Sequence, residues 1–173
     1  MIVLYIAPTP NGWKITIALE ELQVPYILQN IDLSAGEQHS KDFLALNPNG
    51  RIPVIIDRDE DNFVVFESGA ILLYLAEGTG FLPSDPWQRS KVHEWLFFEQ
   101  YSHEPNIATP RFWKNYLRVG EYDECELKRR QQSGRDALGG MERYFRENEF
   151  FGRQYRIADI ALYAYTHKAD EAG

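Results

Sequence analysis

The chain has 173 residues, 44% of them hydrophobic and 25% charged, with a formal net charge of −8. That composition is ordinary for a globular protein and supplies a core for one domain or two small ones. The acidic balance argues against nucleic acid or an anionic membrane surface as partner. A single cysteine, Cys125, excludes an internal disulfide, a CxxC redox pair and a cysteine-built metal site. No apolar run approaches the roughly 18–20 residues of a membrane span. Met1–Ala7 is too short and lacks the basic flank of a targeting segment, so a reducing, cytoplasmic setting is expected.

In chain order, Ile2 to Ile6 is a compact β-run closed by Ala7-Pro8-Thr9-Pro10-Asn11-Gly12. Ile15, Ala18, Leu19 and Leu22 then fall on one helical face over Trp13–Leu22. Val24-Pro25 ends that helix, and Tyr26–Ile31 reads as a second strand, parallel to the first across a crossover helix. A polar loop, Asp32–Ser40, leads to a short helix over Asp42–Leu46 that Asn47-Pro48-Asn49-Gly50 stops. Val54–Ile56 and Phe63–Phe66 read as a hairpin, and Glu67-Ser68 opens a largely apolar helix to Ala76 with Ser68 as its N-cap. The order βαβ-αββα implies a four-stranded mixed sheet, a thioredoxin-like layer, over residues 1–78.

Thr79–Pro86 reads as a linker, after which no strand pattern appears, so residues 86–173 form an all-helical domain. Val92, Trp95, Leu96 and Glu99 follow helical spacing, and Pro105 and Pro110 interrupt Tyr101–Trp113. A stripe from Gly134 through Ala137, Leu138, Met141, Tyr144 and Phe145 is helical. Gly139-Gly140 weakens it by about 1 kcal/mol per glycine. Ile157–Ala169 is the last helix. His39, His93, His103 and His167 lack metal spacing, and Cys125 lies between two carboxylates that disfavour its thiolate.

Local chemistry alone makes Pro53 a strand start and Ser68 a helix cap. Several segments taken together carry more: Arg51-Ile52-Pro53-Val54, Phe66-Glu67-Ser68-Gly69-Ala70-Ile71-Leu72, and Ile157-Ala158-Asp159. In this order and at these separations they resemble the cytosolic glutathione transferase superfamily. Ala7 to Lys14 is similar to bacterial members that use Thr and Asn at the first turn, close to the disulfide-reducing Nu class.

The resemblance implies a thioredoxin-like glutathione domain and an all-α domain that supplies the second substrate's pocket. It also implies a homodimer and a cytoplasmic, detoxifying enzyme with glutathione as co-substrate and no other cofactor. Carried over by position, Ile52 pairs its backbone with the cysteinyl unit beside a cis-Pro53. Glu67 and Ser68 hold the γ-glutamyl end, and Gln38 is a polar contact to the tripeptide. Thr9 and Asn11 face the sulfur. One of Arg129 and Arg130 reaches the site, and the spacing does not choose between them. Two departures accompany the resemblance. Arg156 stands where the family commonly has a Ser or Thr cap, and the chain ends at Gly173, so the C-terminal helices read as incomplete.

The chemistry narrows the sulfur's neighbours. Lowering a thiol pKa from about 8.5 to about 6.5 takes roughly 2.7 kcal/mol. A helix dipole supplies about 0.3–1 kcal/mol, so a direct donor worth about 1.5–3 kcal/mol is needed. Thr9 and Asn11 are the side-chain donors of the first turn, with Asn11 expected to matter more unless it merely caps the helix. The leading reading is conjugation of the glutathione thiolate to a hydrophobic electrophile lodged against Trp95, Tyr101, Phe112 and Trp113. The alternatives are a glutathione-dependent disulfide reductase that takes both sulfurs from two glutathiones, and a non-catalytic binding or scaffold protein.

Overall fold

The computed structural model describes residues 1–173, which divide into two compact units, Met1–Thr79 and Gly80–Gly173. In the first unit, strands β1 (Ile2–Ile6), β2 (Tyr26–Asn30), β3 (Val54–Asp57) and β4 (Phe63–Phe66) form one sheet in the order β2-β1-β3-β4. β1 runs parallel to β2, with Leu4 opposite Leu28, and antiparallel to β3, with Tyr5 opposite Val54. β3 and β4 are the expected hairpin, with Val54 opposite Phe66.

Helix α1 (Pro10–Glu21) is the crossover between the parallel strands, and α2 (Lys41–Leu46) and α3 (Ser68–Ala76) complete the layer. Alternate residues of β1 point to opposite faces. Ile6 lies against Gly12 of α1, whereas Tyr5 meets Phe43 of α2 edge-on at 6.3 Å. α1 and α3 pack on each other. Leu4, Ile15, Leu19, Ile55, Ile71 and Leu72 are wholly buried and form this core.

α1 begins three residues earlier than its apolar spacing implies. Thr9 is the N-cap, its hydroxyl accepting from Gly12 N–H at 3.5 Å, and Pro10 takes the first helical position, where no N–H is needed. Ser68, expected as the N-cap of α3, is instead its first helical residue. Glu67 is the cap position, at φ 71° and ψ 122°, and its side chain makes no capping bond. Sequence spacing does not reveal a positive φ at a glutamate, and that backbone turn is what moves the cap back by one residue.

The second unit contains α4 (Pro86–Phe98), α5 (Glu104–Tyr116), α6 (Glu124–Phe145) and α7 (Ile157–Thr166), with a closing 3₁₀ turn at Ala169–Ala172. From Gly80 onward the segment read as a linker belongs to this unit. Leu82 is buried, and the Phe81 carbonyl accepts from Ile157 N–H at 3.4 Å. The segment expected to be broken by Pro105 and Pro110 is continuous helix. A π-helical turn at Glu99–His103 leads from α4 into α5, where Pro105 holds the second position and, lacking an N–H, leaves a carbonyl of the preceding turn without its helical donor.

Pro110 lies inside α5 and cannot donate to the Asn106 carbonyl one turn back. α6 runs close to that same carbonyl: a Cβ on Gly134 would lie 2.7 Å from it. α6 also continues through Gly139-Gly140. α7 is buried on nearly every side, from Ile157 to Tyr165, and ends three residues short of the expected Ala169. Arg156 offers no side-chain cap, as its chemistry requires. Asp159 supplies the reciprocal half of a capping box, Oδ2 accepting from Arg156 N–H at 2.8 Å and Oδ1 from Phe151 N–H at 2.9 Å.

Candidate functional site

Two helix starts and one turn of the first unit hold most of the residues singled out in the sequence. The turn before β3 is pinned by Asn47, which is buried. Its Nδ2 donates to the Arg51 carbonyl at 2.7 Å, and its Oδ1 accepts from Asn49 N–H at 3.0 Å. Gly50 stands at φ 61°, where a side chain is strained and where a Cβ would lie 2.8 Å from His39 Nδ1. The Ile52–Pro53 bond that follows is cis. Ile52 lies outside the ladder, which starts at Val54, and its backbone N–H and carbonyl make no hydrogen bond within the chain.

Glu67 carries the next feature. A non-glycine residue at φ 71° costs on the order of 1–3 kcal/mol, and such strain is concentrated at binding sites. The Glu67 carbonyl accepts from Ile71 N–H at 2.9 Å, so α3 winds normally from its first turn. Since Glu67 gives no capping bond, the first N–H groups of α3 are left to an external acceptor. That arrangement offers donors to a carboxylate and an acidic side chain to an ammonium.

Asn11 occupies the second position of α1 and is not its cap, because Thr9 fills that role. Its Oδ1 accepts from Lys14 Nζ at 2.8 Å. Lys14 also donates to Ser68 Oγ at 3.4 Å, so one ammonium links the starts of α1 and α3. Lys14 is fully buried and Ser68 nearly so. Sequence reasoning missed Lys14. Its signal was there in the spacing, since Lys14 and Ala18, one turn apart, share the buried stripe with Ile15 and Leu19.

Gln38 lies in a short 3₁₀ turn, Glu37–His39, and its Nε2 donates weakly to the Leu33 carbonyl at 3.5 Å. Its Oε1 is shielded from solvent without a partner. A cavity of about 660 Å³ in the first unit is lined by Met1, Pro25, Asp57 and Tyr74, among others, and by none of the residues above.

The four aromatic residues expected around a second substrate fall in different surroundings. Trp95 packs with Tyr144 at 4.8 Å and Phe151 at 4.5 Å, as part of a ring cluster. Phe112 is half exposed and stacks on Tyr116 at 5.5 Å. Trp113 stacks on Tyr122 at 5.8 Å, with the Arg130 guanidinium 5.9 Å above it. Tyr101 is 86% exposed. It lines a cavity of about 560 Å³ together with both Arg129 and Arg130. Arg129 is paired with Glu126 through two bonds of 2.6 Å, while Arg130 donates to the Pro105 carbonyl at 3.0 Å. These two arginines hold the Glu126 carboxyl well below the ordinary value, at about 2, chiefly through the bond from Arg129.

Comparison with known proteins gives this geometry a context. Residues 1–77 match the family model for the glutathione S-transferase N-terminal domain. The disulfide-bond oxidoreductase YfcG of Escherichia coli is 48% identical over 104 residues, covering 57% of this chain and 48% of that protein. The chain thus spans about half the length of that curated relative. A glutathione S-transferase of Pseudomonas fluorescens superimposes with a TM-score of 0.92 at 44% identity, covering 99% of this chain and 86% of that one. A glutathione transferase of Burkholderia graminis, solved with two glutathione molecules bound per subunit, has a TM-score of 0.91 at 34% identity, covering 98% of this chain and 72% of that one. The chain belongs to the glutathione S-transferase superfamily.

Proposed function

We propose that the chain binds glutathione on its first unit and directs the thiolate at a hydrophobic electrophile, as a glutathione transferase. The observation that carries this reading is the unclaimed backbone of Ile52 beside the strained Glu67-Ser68 helix start. The first suits an extended peptide-like ligand, and the second suits an amino-acid end group bearing both charges. Gln38, in the Glu37–His39 turn, is a third polar contact. Thr9 and Asn11 face the sulfur, and the thiolate forms a carbon–sulfur bond as the electrophile's leaving group departs with the bonding pair.

The electrophile is proposed to lie against the aromatic side chains of the helical unit. Tyr101 is the first candidate, because its ring is offered openly beside Arg129 and Arg130. Homodimerisation, a cytoplasmic location and a detoxifying role belong to the same proposal.

A second reading, disulfide reduction, is favoured by the 48% identity to the E. coli oxidoreductase. No CxxC is present, so two glutathiones would supply both sulfurs. One thiolate displaces a thiol from the disulfide substrate, and the second resolves the mixed disulfide to glutathione disulfide and the second thiol. Turnover of an aromatic halide, set against turnover of a model mixed disulfide under the same conditions, decides between the readings. Conjugation at the greater rate supports the transferase, and reduction at the greater rate overturns it in favour of the reductase. Glutathione binding without either turnover leaves a binding or scaffold protein.

A further inference from the structure

One face of α4 presents Trp87, Lys91 and Trp95 at successive turns. Together with Tyr144 near the end of α6 and residues of the 152–156 segment, that face lines a cavity of about 660 Å³. The volume is that of a small-molecule site. The cavity lies wholly in the second unit and shares no residue with the one beside Tyr101. Its apolar wall is built: Trp95 packs on Tyr144 at 4.8 Å and on Phe151 at 4.5 Å, and Val92 is buried. Trp87, by contrast, is 82% exposed. A single exposed tryptophan is common on protein surfaces. This one borders a cavity that two further rings already line.

The charges around the cavity select a ligand. Lys91, Arg153 and Arg156 line it together with Asp85 and Glu94, a surplus of one positive charge. Lys91 is taken by Glu94 at 2.9 Å, and Asp85 by the start of α4, where it accepts from Gln88 N–H at 2.9 Å. Arg156 donates to Gln154 Oε1 at 2.8 Å. Arg153 is exposed and forms no hydrogen bond or ion pair within the chain. A guanidinium is a planar fork that matches a carboxylate through two parallel bonds. One surplus charge suits a monoanion, whereas a doubly charged phosphate would bring its second charge toward Asp85 and Glu94.

We propose that this cavity is a binding site for a planar aromatic monocarboxylate, with its ring against Trp87 and its carboxylate on Arg153. The site is independent of the proposed glutathione site and stands whether or not the first unit binds glutathione.

The test is calorimetric titration of 2-naphthoate into wild type, Arg153→Gln, Trp87→Leu and Tyr101→Ala, with 2-naphthalenemethanol and 2-naphthyl phosphate as the neutral and dianionic analogues. Wild type is expected to bind one naphthoate per chain, and both analogues more weakly. Arg153→Gln is expected to lose about tenfold or more in affinity, the worth of a charge-assisted bond. Trp87→Leu is expected to lose about three- to tenfold with the ring contact. Both side chains are exposed, so thermal denaturation should find both variants as stable as wild type. Tyr101→Ala and saturating glutathione are expected to leave naphthoate affinity unchanged.

Absence of naphthoate binding overturns the inference, as does an unchanged affinity in either Arg153→Gln or Trp87→Leu. Tighter binding of the phosphate or of the neutral analogue overturns the assignment of ligand class. Loss of naphthoate binding in Tyr101→Ala, or its displacement by glutathione, places the ligand in another site and overturns the inference too. Failure of glutathione to bind, with naphthoate binding as expected, defeats the glutathione reading and leaves this one standing.

Discussion

Two glycines of α6, five residues apart, are expected to respond to the same substitution with opposite signs. At Gly134 an added Cβ would sit 2.7 Å from the Asn106 carbonyl oxygen and 3.6 Å from Ile107 Cγ1. The oxygen belongs to helical backbone and cannot swing aside, so α5 and α6 must separate by several tenths of an ångström. Overpacking of this kind costs about 1–3 kcal/mol, against a gain of about 1 kcal/mol from alanine's helix propensity. Gly134→Ala is therefore expected to destabilise by up to about 2 kcal/mol. At Gly139 the Cβ would meet only Arg143 Nη1, at 3.6 Å, the far end of a flexible side chain. Gly139→Ala is expected to stabilise by about 0.5–1 kcal/mol. For a chain of this length each kcal/mol moves Tm by about 2–4 °C. Thermal denaturation by circular dichroism at 222 nm reads both signs. A Gly134→Ala protein stabilised to the same extent as Gly139→Ala would refute the close approach of α6 to the carbonyl that Pro110 leaves without its helical donor.

Three other outcomes are expected. Thr9→Ala removes the α1 cap and should cost about 0.5–2 kcal/mol in chemical denaturation, toward the lower end given the 3.5 Å bond, with little change in the pH profile. Asn11→Ala should leave stability nearer wild type, because Asn11 is not the cap, and should move the pH profile of kcat/KM up by about a unit, or about 1.4 kcal/mol. Glu171 is held below the ordinary carboxylate value of 4.5 by Lys168 first and Arg111 second. Since its folded pKa is the lower one, the unfolded chain binds the extra proton. The stabilisation is complete above about pH 4.5 and is lost as pH falls through the lowered value. Glu171→Gln should accordingly flatten the fall of Tm below pH 4.5, and an unchanged slope would remove Glu171 from the acid response.

The sheet was legible because its strands carry their own evidence. Ile2–Ile6, Val54–Asp57 and Phe63–Phe66 are short β-branched or aromatic runs between strong turn signals. The residue types of the candidate site stand in the sequence, and their connections do not. Ser68 looked like a cap because serine commonly is one. Whether it caps depends on the φ of Glu67, which nothing in the local chemistry announces. Lys14 was overlooked because a lysine on a helix is normally solvated, although its place on the stripe of Ile15, Ala18 and Leu19 was there to be read. Pro105 and Pro110 looked like breaks because proline usually ends a helix. Here one follows directly on a π-helical turn inside an unbroken helix, and the other leaves a carbonyl against which Gly134 packs. The aromatic residues of the second unit shared a composition and not a location. Trp95, Phe112 and Trp113 each have a different ring partner.

The measurement that bears most directly on the proposed glutathione site is calorimetric titration of glutathione into wild type, Glu67→Ala and Ser68→Ala. A hydrogen bond to a charged group is worth about 1.5–3 kcal/mol, or about ten- to hundredfold in Kd. Wild type is expected to bind one glutathione per chain, and each variant is expected to bind it weaker by at least about tenfold while unfolding at nearly the wild-type temperature. Absence of binding to wild type, or an affinity unchanged in both variants, would contradict the assignment of the Glu67-Ser68 helix start as the seat of the γ-glutamyl end.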